Sequence, residues 1–139
     1  FISAVRNLGC RFALDDFGTG FCSFGYLRSF DVDFFKIDGS FVRDLDTSPL
    51  SYAIVRSIAD IGRVMRKQTI AEGCENEPIR QRLIDLGVDL ARRGDRGVPG
   101  AVEAFRGDGE IGRMVVREGL QAHEVVLERI GVFNSTNRA

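Results

Sequence analysis

The stretch Arg11-Phe12-Ala13-Leu14-Asp15-Asp16-Phe17-Gly18-Thr19-Gly20 decides how this chain folds. A short apolar run that ends in two acids and then a glycine-rich turn reads as a buried strand, Arg11 to Asp16, with its C-terminal end at something polar. The same grammar returns twice. Phe34-Phe35 runs into Lys36-Ile37-Asp38, and Thr69-Ile70-Ala71 runs into Glu72-Gly73. Three such runs predict three parallel strands whose C-terminal ends converge on one site. Four carboxylates (Asp15, Asp16, Asp38, Glu72) and Lys36 delivered together suit metal-assisted chemistry on a charged substrate.

Working outward, helices fill the intervals. Ile2, Val5 and Leu8 stand at helical spacing before Gly9, and Ser23 to Ser29 is predicted as a short helix carrying Phe24 and Leu27. The second strand is predicted over Val32 to Asp38, followed by a helical turn at Ser40 to Leu45. Ser48-Pro49 opens the clearest helix, serine as N-cap and proline at the first helical position, where its missing N–H costs nothing. Its expected apolar face is Ile54, Ile58, Ile61 and Met65. Gln68 to Ala71 is the third strand. A further helix runs from about Pro78 to Leu86, capped by Asn76, faced by Ile79, Leu83 and Leu86, and stopped by Gly87. Strand alternating with helix predicts parallel pairing, strands buried on both faces, and a site at their C-terminal ends.

Bulk properties exclude several function classes. A chain of 139 residues makes one domain. Net charge is −1 with arginines dispersed among acids, which leaves no stripe for a nucleic-acid polymer. No apolar run approaches the roughly 18 residues a membrane span needs, and the start is not of signal-peptide type. Cys10, Cys22 and Cys74 lack metal-type spacing and are expected as reduced thiols in a cytoplasmic protein. His123 stands in a polar stretch with no ligand set near it. Only two of the 19 basic residues, Lys36 and Lys67, are lysine, and Lys36 lies inside one of the polar clusters. A compact ammonium there does work that a guanidinium cannot.

Beyond Leu90 the pattern is weaker. Arg92-Arg93-Gly94-Asp95-Arg96 is expected to be a polar loop, and Glu110 to Ile130, with Ile111, Val115, Val125, Val126 and Ile130, to form one or two amphipathic helices.

The run of motifs resembles the C-terminal portion of an EAL domain, the bacterial domain that hydrolyses cyclic di-GMP. The matching residues are Ala13-Leu14-Asp15-Asp16-Phe17-Gly18-Thr19-Gly20, Tyr26-Leu27, Val32-Asp33, Lys36-Ile37-Asp38, Ser40-Phe41-Val42, Ala71-Glu72-Gly73-Cys74-Glu75 and Leu86-Gly87-Val88-Asp89. The resemblance implies an α/β fold, a partial TIM-like (β/α) barrel of about three to four βα units, with residues 1–105 EAL-like and residues 106–139 an unassigned tail. It implies a two-metal site for Mg²⁺ or Mn²⁺, the ions about 4 Å apart, that acidifies a water and holds a phosphodiester for in-line attack to give linear pGpG. By the same resemblance Asp15 bridges both ions, and Asp16 and Glu72 complete the second ion's shell. Lys36 contacts or helps activate the attacking water, and Glu75 steadies the loop from Asp16 to Gly20. Phe17, Gly18 and Gly20 lie against the substrate, cyclic di-GMP, and that loop also lies near a homodimer interface.

This sequence departs from the family pattern at four places. The EAL tripeptide and the asparagine and second glutamate of the first metal's shell are expected upstream of Phe1. After Asp89-Leu90-Ala91, arginine stands where the family has glutamine. Gly97-Val98-Pro99 and Val102-Glu103-Ala104-Phe105 then resemble the family's closing loop and helix, so the divergence is local, through degeneration or through a compensated frame error. A full barrel takes about 250 residues and eight strands. The expectation is an open sheet with two exposed edges and negligible phosphodiesterase activity in isolation. A non-catalytic relic or regulatory module binding the dinucleotide or a protein partner is the alternative, and the bare constellation also fits an unrelated metal-dependent α/β-barrel enzyme.

Overall fold

The structure is a computed structural model that describes residues 2–7, 11–17, 32–93, 102–105, 114–117, 125–128 and 132–133. Helix α1 (Ile2–Asn7) leads into β1 (Arg11–Phe17), and β2 (Phe34–Ile37) is followed by the short α2 (Gly39–Arg43). Then come α3 (Pro49–Met65), β3 (Gln68–Glu72), α4 (Glu77–Leu86) and β4 (Leu90–Arg92). The expected helix at Ser23 to Ser29 lies outside the described residues, as do Cys10, Cys22 and His123.

Strands β1, β2, β3 and β4 are consecutive parallel neighbours, as the alternation of strand and helix requires. Because side chains alternate across a strand, the sheet has two distinct faces. One face sends Phe12, Leu14, Phe17, Phe35, Ile37, Ala71 and Ala91 into a hydrophobic core shared with Val42, Val55, Ile58, Leu83 and Leu86 of the helices. The opposite face carries Ala13 and Asp15 from β1, Phe34 and Lys36 from β2, Ile70 and Glu72 from β3, and Leu90 and Arg92 from β4. Its apolar residues are buried near the strand starts and its charged ones sit at the strand ends.

The helix ends are built as the sequence predicts. Ser48 accepts a hydrogen bond from Ser51 N at 3.2 Å, with Pro49 beginning α3, and Asn76 accepts from Ile79 N at 2.9 Å. Gly87 ends α4 in the left-handed conformation, φ 80°. The buried face of α4 is Ile79, Leu83 and Leu86, as expected. That of α3 is rotated from expectation. It is Ser51, Val55, Ile58, Ala59 and Gly62, while Ile54, Ile61 and Met65 pack at its margin. Small residues let the helix approach β3 closely: a Cβ on Gly62 would lie 2.8 Å from Thr69 Cγ2 and 3.1 Å from the Lys67 carbonyl oxygen. Small size brings the backbones together without any apolar signal for periodicity to detect.

Three expectations for the C-terminal part are corrected. Arg92 is not in a polar loop but is the buried last residue of β4. Val102-Glu103-Ala104 forms β5 (Val102–Ala104), antiparallel to β4, rather than a helix, and Phe105 N donates to the Asp89 carbonyl at 2.7 Å. Within the span expected to be helical lie β6 (Met114–Arg117) and β7 (Val125–Glu128), and β8 (Val132–Phe133) follows. Val115-Val116 and Val125-Val126 are β-branched pairs that suit strands, and the parallel core offers edges to pair with. β6 lies parallel beside β1, β7 is antiparallel beyond it, and β8 lies beside β5, giving one open sheet in the order β7-β6-β1-β2-β3-β4-β5-β8. Neither edge of the four-stranded core is therefore bare.

Candidate functional site

The site begins with an irregularity in β1. Leu14 pairs with Phe35 and Phe17 with Ile37, so three steps along β1 match two along β2. The extra residue is a bulge at Asp15-Asp16, which sets two acids opposite the single Lys36. Lys36 is carried on a strand whose four residues are all buried, and this fixes its ammonium at the strand end.

There the charges alternate across the strands. Lys36 Nζ lies 3.2 Å from Asp15 Oδ1 and 2.9 Å from Glu72 Oε1, and Arg92 Nη1 lies 3.6 Å from the same Glu72 oxygen. The side chains of Lys36, Glu72 and Arg92 are only 6%, 6% and 7% exposed. Charges this buried persist only when paired, because desolvation costs each several kcal/mol. Glu72 and Arg92 are direct cross-strand partners, so the register of β3 and β4 holds them together. The second Glu72 oxygen, Oε2, is buried without a hydrogen-bond partner.

The other expected residues divide. Asp38 is buried and serves as N-cap of α2, its Oδ1 accepting from Ser40 N at 2.8 Å. Gly73 follows Glu72 with φ 73°, a left-handed backbone conformation that favours glycine where the chain leaves β3. Cys74 beside it is buried and in no disulfide. Glu75 is exposed. The Phe17 ring is buried, stacked on Phe35 with centroids 4.9 Å apart, so it faces the helix layer. Asp16 is in β1, but its side chain lies outside the described residues, as do Gly18 and Gly20.

Among the described residues no three His, Cys, Asp or Glu side chains form a group able to hold a metal ion. What is present still suits a hard divalent cation. Asp15 and Glu72 are oxygen donors, and Oε2 of Glu72 is a buried acceptor in want of a partner.

A model of the EAL domain matches residues 1–92. This chain belongs to the EAL domain family. Over 88 residues it is 52% identical to the cyclic di-GMP phosphodiesterase PdeB of Shewanella oneidensis, which is 63% of this chain and 10% of PdeB. The crystal structure of the EAL domain of Mycobacterium smegmatis DcpA matches with TM-score 0.59 and 36% identity over 66% of this chain and 41% of that one. Klebsiella pneumoniae BlrP1, solved as a manganese and cyclic di-GMP complex, matches with TM-score 0.59 and 32% identity over 66% of this chain and 24% of that one. The chain spans about a tenth of the length of the curated relatives it matches. Its fold is the expected partial TIM-like barrel, in which four parallel strands represent part of an EAL domain.

The structure brings Asp15, Lys36 and Glu72 together, and adds Arg92, which the sequence marks only as an arginine in the place of the family's glutamine. The signal for Arg92 was its place one strand-length after Val88-Asp89, the same interval that separates Lys36 from Val32-Asp33. Asp33 and Asp89 have structural roles at the opposite strand ends. Asp33 Oδ2 accepts from Phe12 N at 2.8 Å, and Asp89 Oδ2 accepts from Thr69 N at 2.8 Å and Thr69 Oγ1 at 3.0 Å.

Proposed function

We propose that this chain carries the second-metal half of an EAL-type phosphodiesterase site, whose complete form hydrolyses cyclic di-GMP to linear pGpG with Mg²⁺ or Mn²⁺, and that the 139-residue chain alone does not turn over. The observation that carries the reading is the buried junction of Asp15, Lys36 and Glu72 at three parallel strand ends, with Glu72 Oε2 unpartnered. Asp15, Asp16 and Glu72 would hold the cations. Bound there, the ions would polarise the phosphodiester and acidify a water. Lys36, held between two carboxylates, would point its ammonium at the place where negative charge develops on the phosphate. Gly18 and Gly20 let the substrate approach the backbone, with Phe17 anchoring their loop through its buried ring. Glu75, exposed beside the site, steadies that loop, and the loop also serves a homodimer interface. The EAL-derived part runs to about Phe105, since β5 completes the edge of β4. The domain works in the cytoplasm, a placement in keeping with the reduced Cys74; among the described residues no helix is long and apolar enough to cross a membrane.

The Arg92–Glu72 contact favours a second reading, a non-catalytic module that binds cyclic di-GMP or a protein partner, because it engages with a fixed cation the carboxylate that a metal would need. One pair of assays separates the two. Residues 1–92 are grafted into an intact EAL phosphodiesterase, and pGpG release is followed with Mn²⁺. Hydrolysis that Asp15→Asn and Glu72→Gln abolish supports the first reading; a folded graft that binds cyclic di-GMP without turnover supports the second. Turnover by the 139-residue chain itself, lost in Glu72→Ala, would overturn the inactivity.

A further inference from the structure

We infer that Arg92 is a resident counter-ion of Glu72 that keeps divalent cations off this carboxylate, so that metal occupancy of the site is governed by a residue that is not a metal ligand. The inference rests on the metal-site reading above and specifies how that site is regulated.

Three observations carry it. First, the guanidinium is built in: Arg92 is the buried end of β4, directly paired in register with Glu72 and 3.6 Å from its Oε1. Second, that oxygen is already shared, since Lys36 Nζ stands 2.9 Å from it. Two acids, Asp15 and Glu72, thus meet two bases, Lys36 and Arg92, through three ion-pair contacts. Third, Glu72 Oε2, a buried oxygen without a hydrogen-bond partner, belongs to the carboxylate that both bases hold. A divalent ion arriving there places two more positive charges beside two buried cations in a medium that screens them poorly. Lys36 has the Asp15 carboxylate as a second anion to lean on. Removing Arg92 takes one of the two positive charges off Glu72 and leaves the carboxylate paired with Lys36.

The test is Mn²⁺ binding by the full chain, followed by calorimetry and by the electron paramagnetic resonance of free Mn²⁺, at one ionic strength. Arg92→Gln and Arg92→Met are expected to bind at least about tenfold more tightly than the native chain, while Arg92→Lys stays near native. Far-ultraviolet circular dichroism establishes that each variant keeps the fold, which Lys36, as the remaining partner of Glu72, favours. Equal or weaker binding by folded Gln and Met variants overturns the inference. So does a native chain that binds Mn²⁺ at Glu72 with a Kd of about 1 μM or tighter, a result independent of whether any Arg92 variant folds. Glu72→Gln in the Arg92→Gln background separates this from failure of the site itself. If Mn²⁺ binding does not depend on Glu72, the metal-site reading falls, and the inference with it. If binding depends on Glu72 but ignores Arg92, only the inference falls.

Discussion

The two ends of the same four strands use carboxylates in opposite ways. At the start of β2 and β4, Asp33 and Asp89 accept hydrogen bonds from the backbone N–H groups of Phe12 and Thr69, each tying its strand to the neighbour. At the far end, Asp15 and Glu72 face the side-chain cations Lys36 and Arg92, and one oxygen of Glu72 has no partner. A carboxylate bonded to backbone amides has a partner that cannot leave, so it fixes register. One bonded to side chains can exchange partners. The difference marks which end of a sheet holds it together and which is open to chemistry.

Substitutions at the two ends put that contrast under strain. Lys36→Met, which leaves Asp15 and Glu72 without their shared ammonium, is expected to cost about 3–5 kcal/mol in urea unfolding, the penalty of breaking a buried ion pair. A loss below about 1 kcal/mol would mean that the cluster is solvated in the way surface pairs are. Asp89→Ala strands two buried donors on Thr69 and should cost about 2–3 kcal/mol. Measured below its unfolding transition, it should leave Mn²⁺ binding at the opposite end unchanged; a change there would show that the ends are coupled. Gly62→Ala forces a methyl against Thr69 and is expected to cost about 1–3 kcal/mol, read from the thermal midpoint. The smallest effect has the opposite sign. Arg66 ends α3 with φ 56°, where a side chain is unfavourable, so Arg66→Gly should stabilise the chain by about 0.5–1 kcal/mol.

Much of this was legible in the residues because the chemistry is local. Ser48-Pro49, Asn76 and Gly87 announce helix ends by hydrogen-bonding and backbone preferences that act within a few residues. The runs ending at Asp15, Lys36 and Glu72 announce strands by burial on both faces. What could not be read depends on contacts made by distant residues. The small residues Ala59 and Gly62 centre the buried face of α3 because β3 comes close, while isoleucines carry the visible periodicity. Val115-Val116 and Val125-Val126 form strands beside the edge of β1, although their wider surroundings space apolar residues as a helix would. Arg92, in a run of arginines and glycine, has the composition of a loop; only its pairing with Glu72 makes it part of a strand and of the site.

The extra residue in β1 has a consequence of phase. Up to Leu14, even-numbered residues face the helices, yet Phe17, an odd one, packs among them with Phe12 and Leu14. The count is reset within Asp15-Asp16, so the strand keeps its aromatic anchor in the core while still directing an acid toward Lys36. Removing one of the two acids would restore plain alternation and keep the aromatic anchor on the helix side, but it would leave a single acid opposite Lys36. At this point the length of the chain is part of its chemistry, because the extra residue sets how many acids the strand end offers and not the side on which its anchor packs.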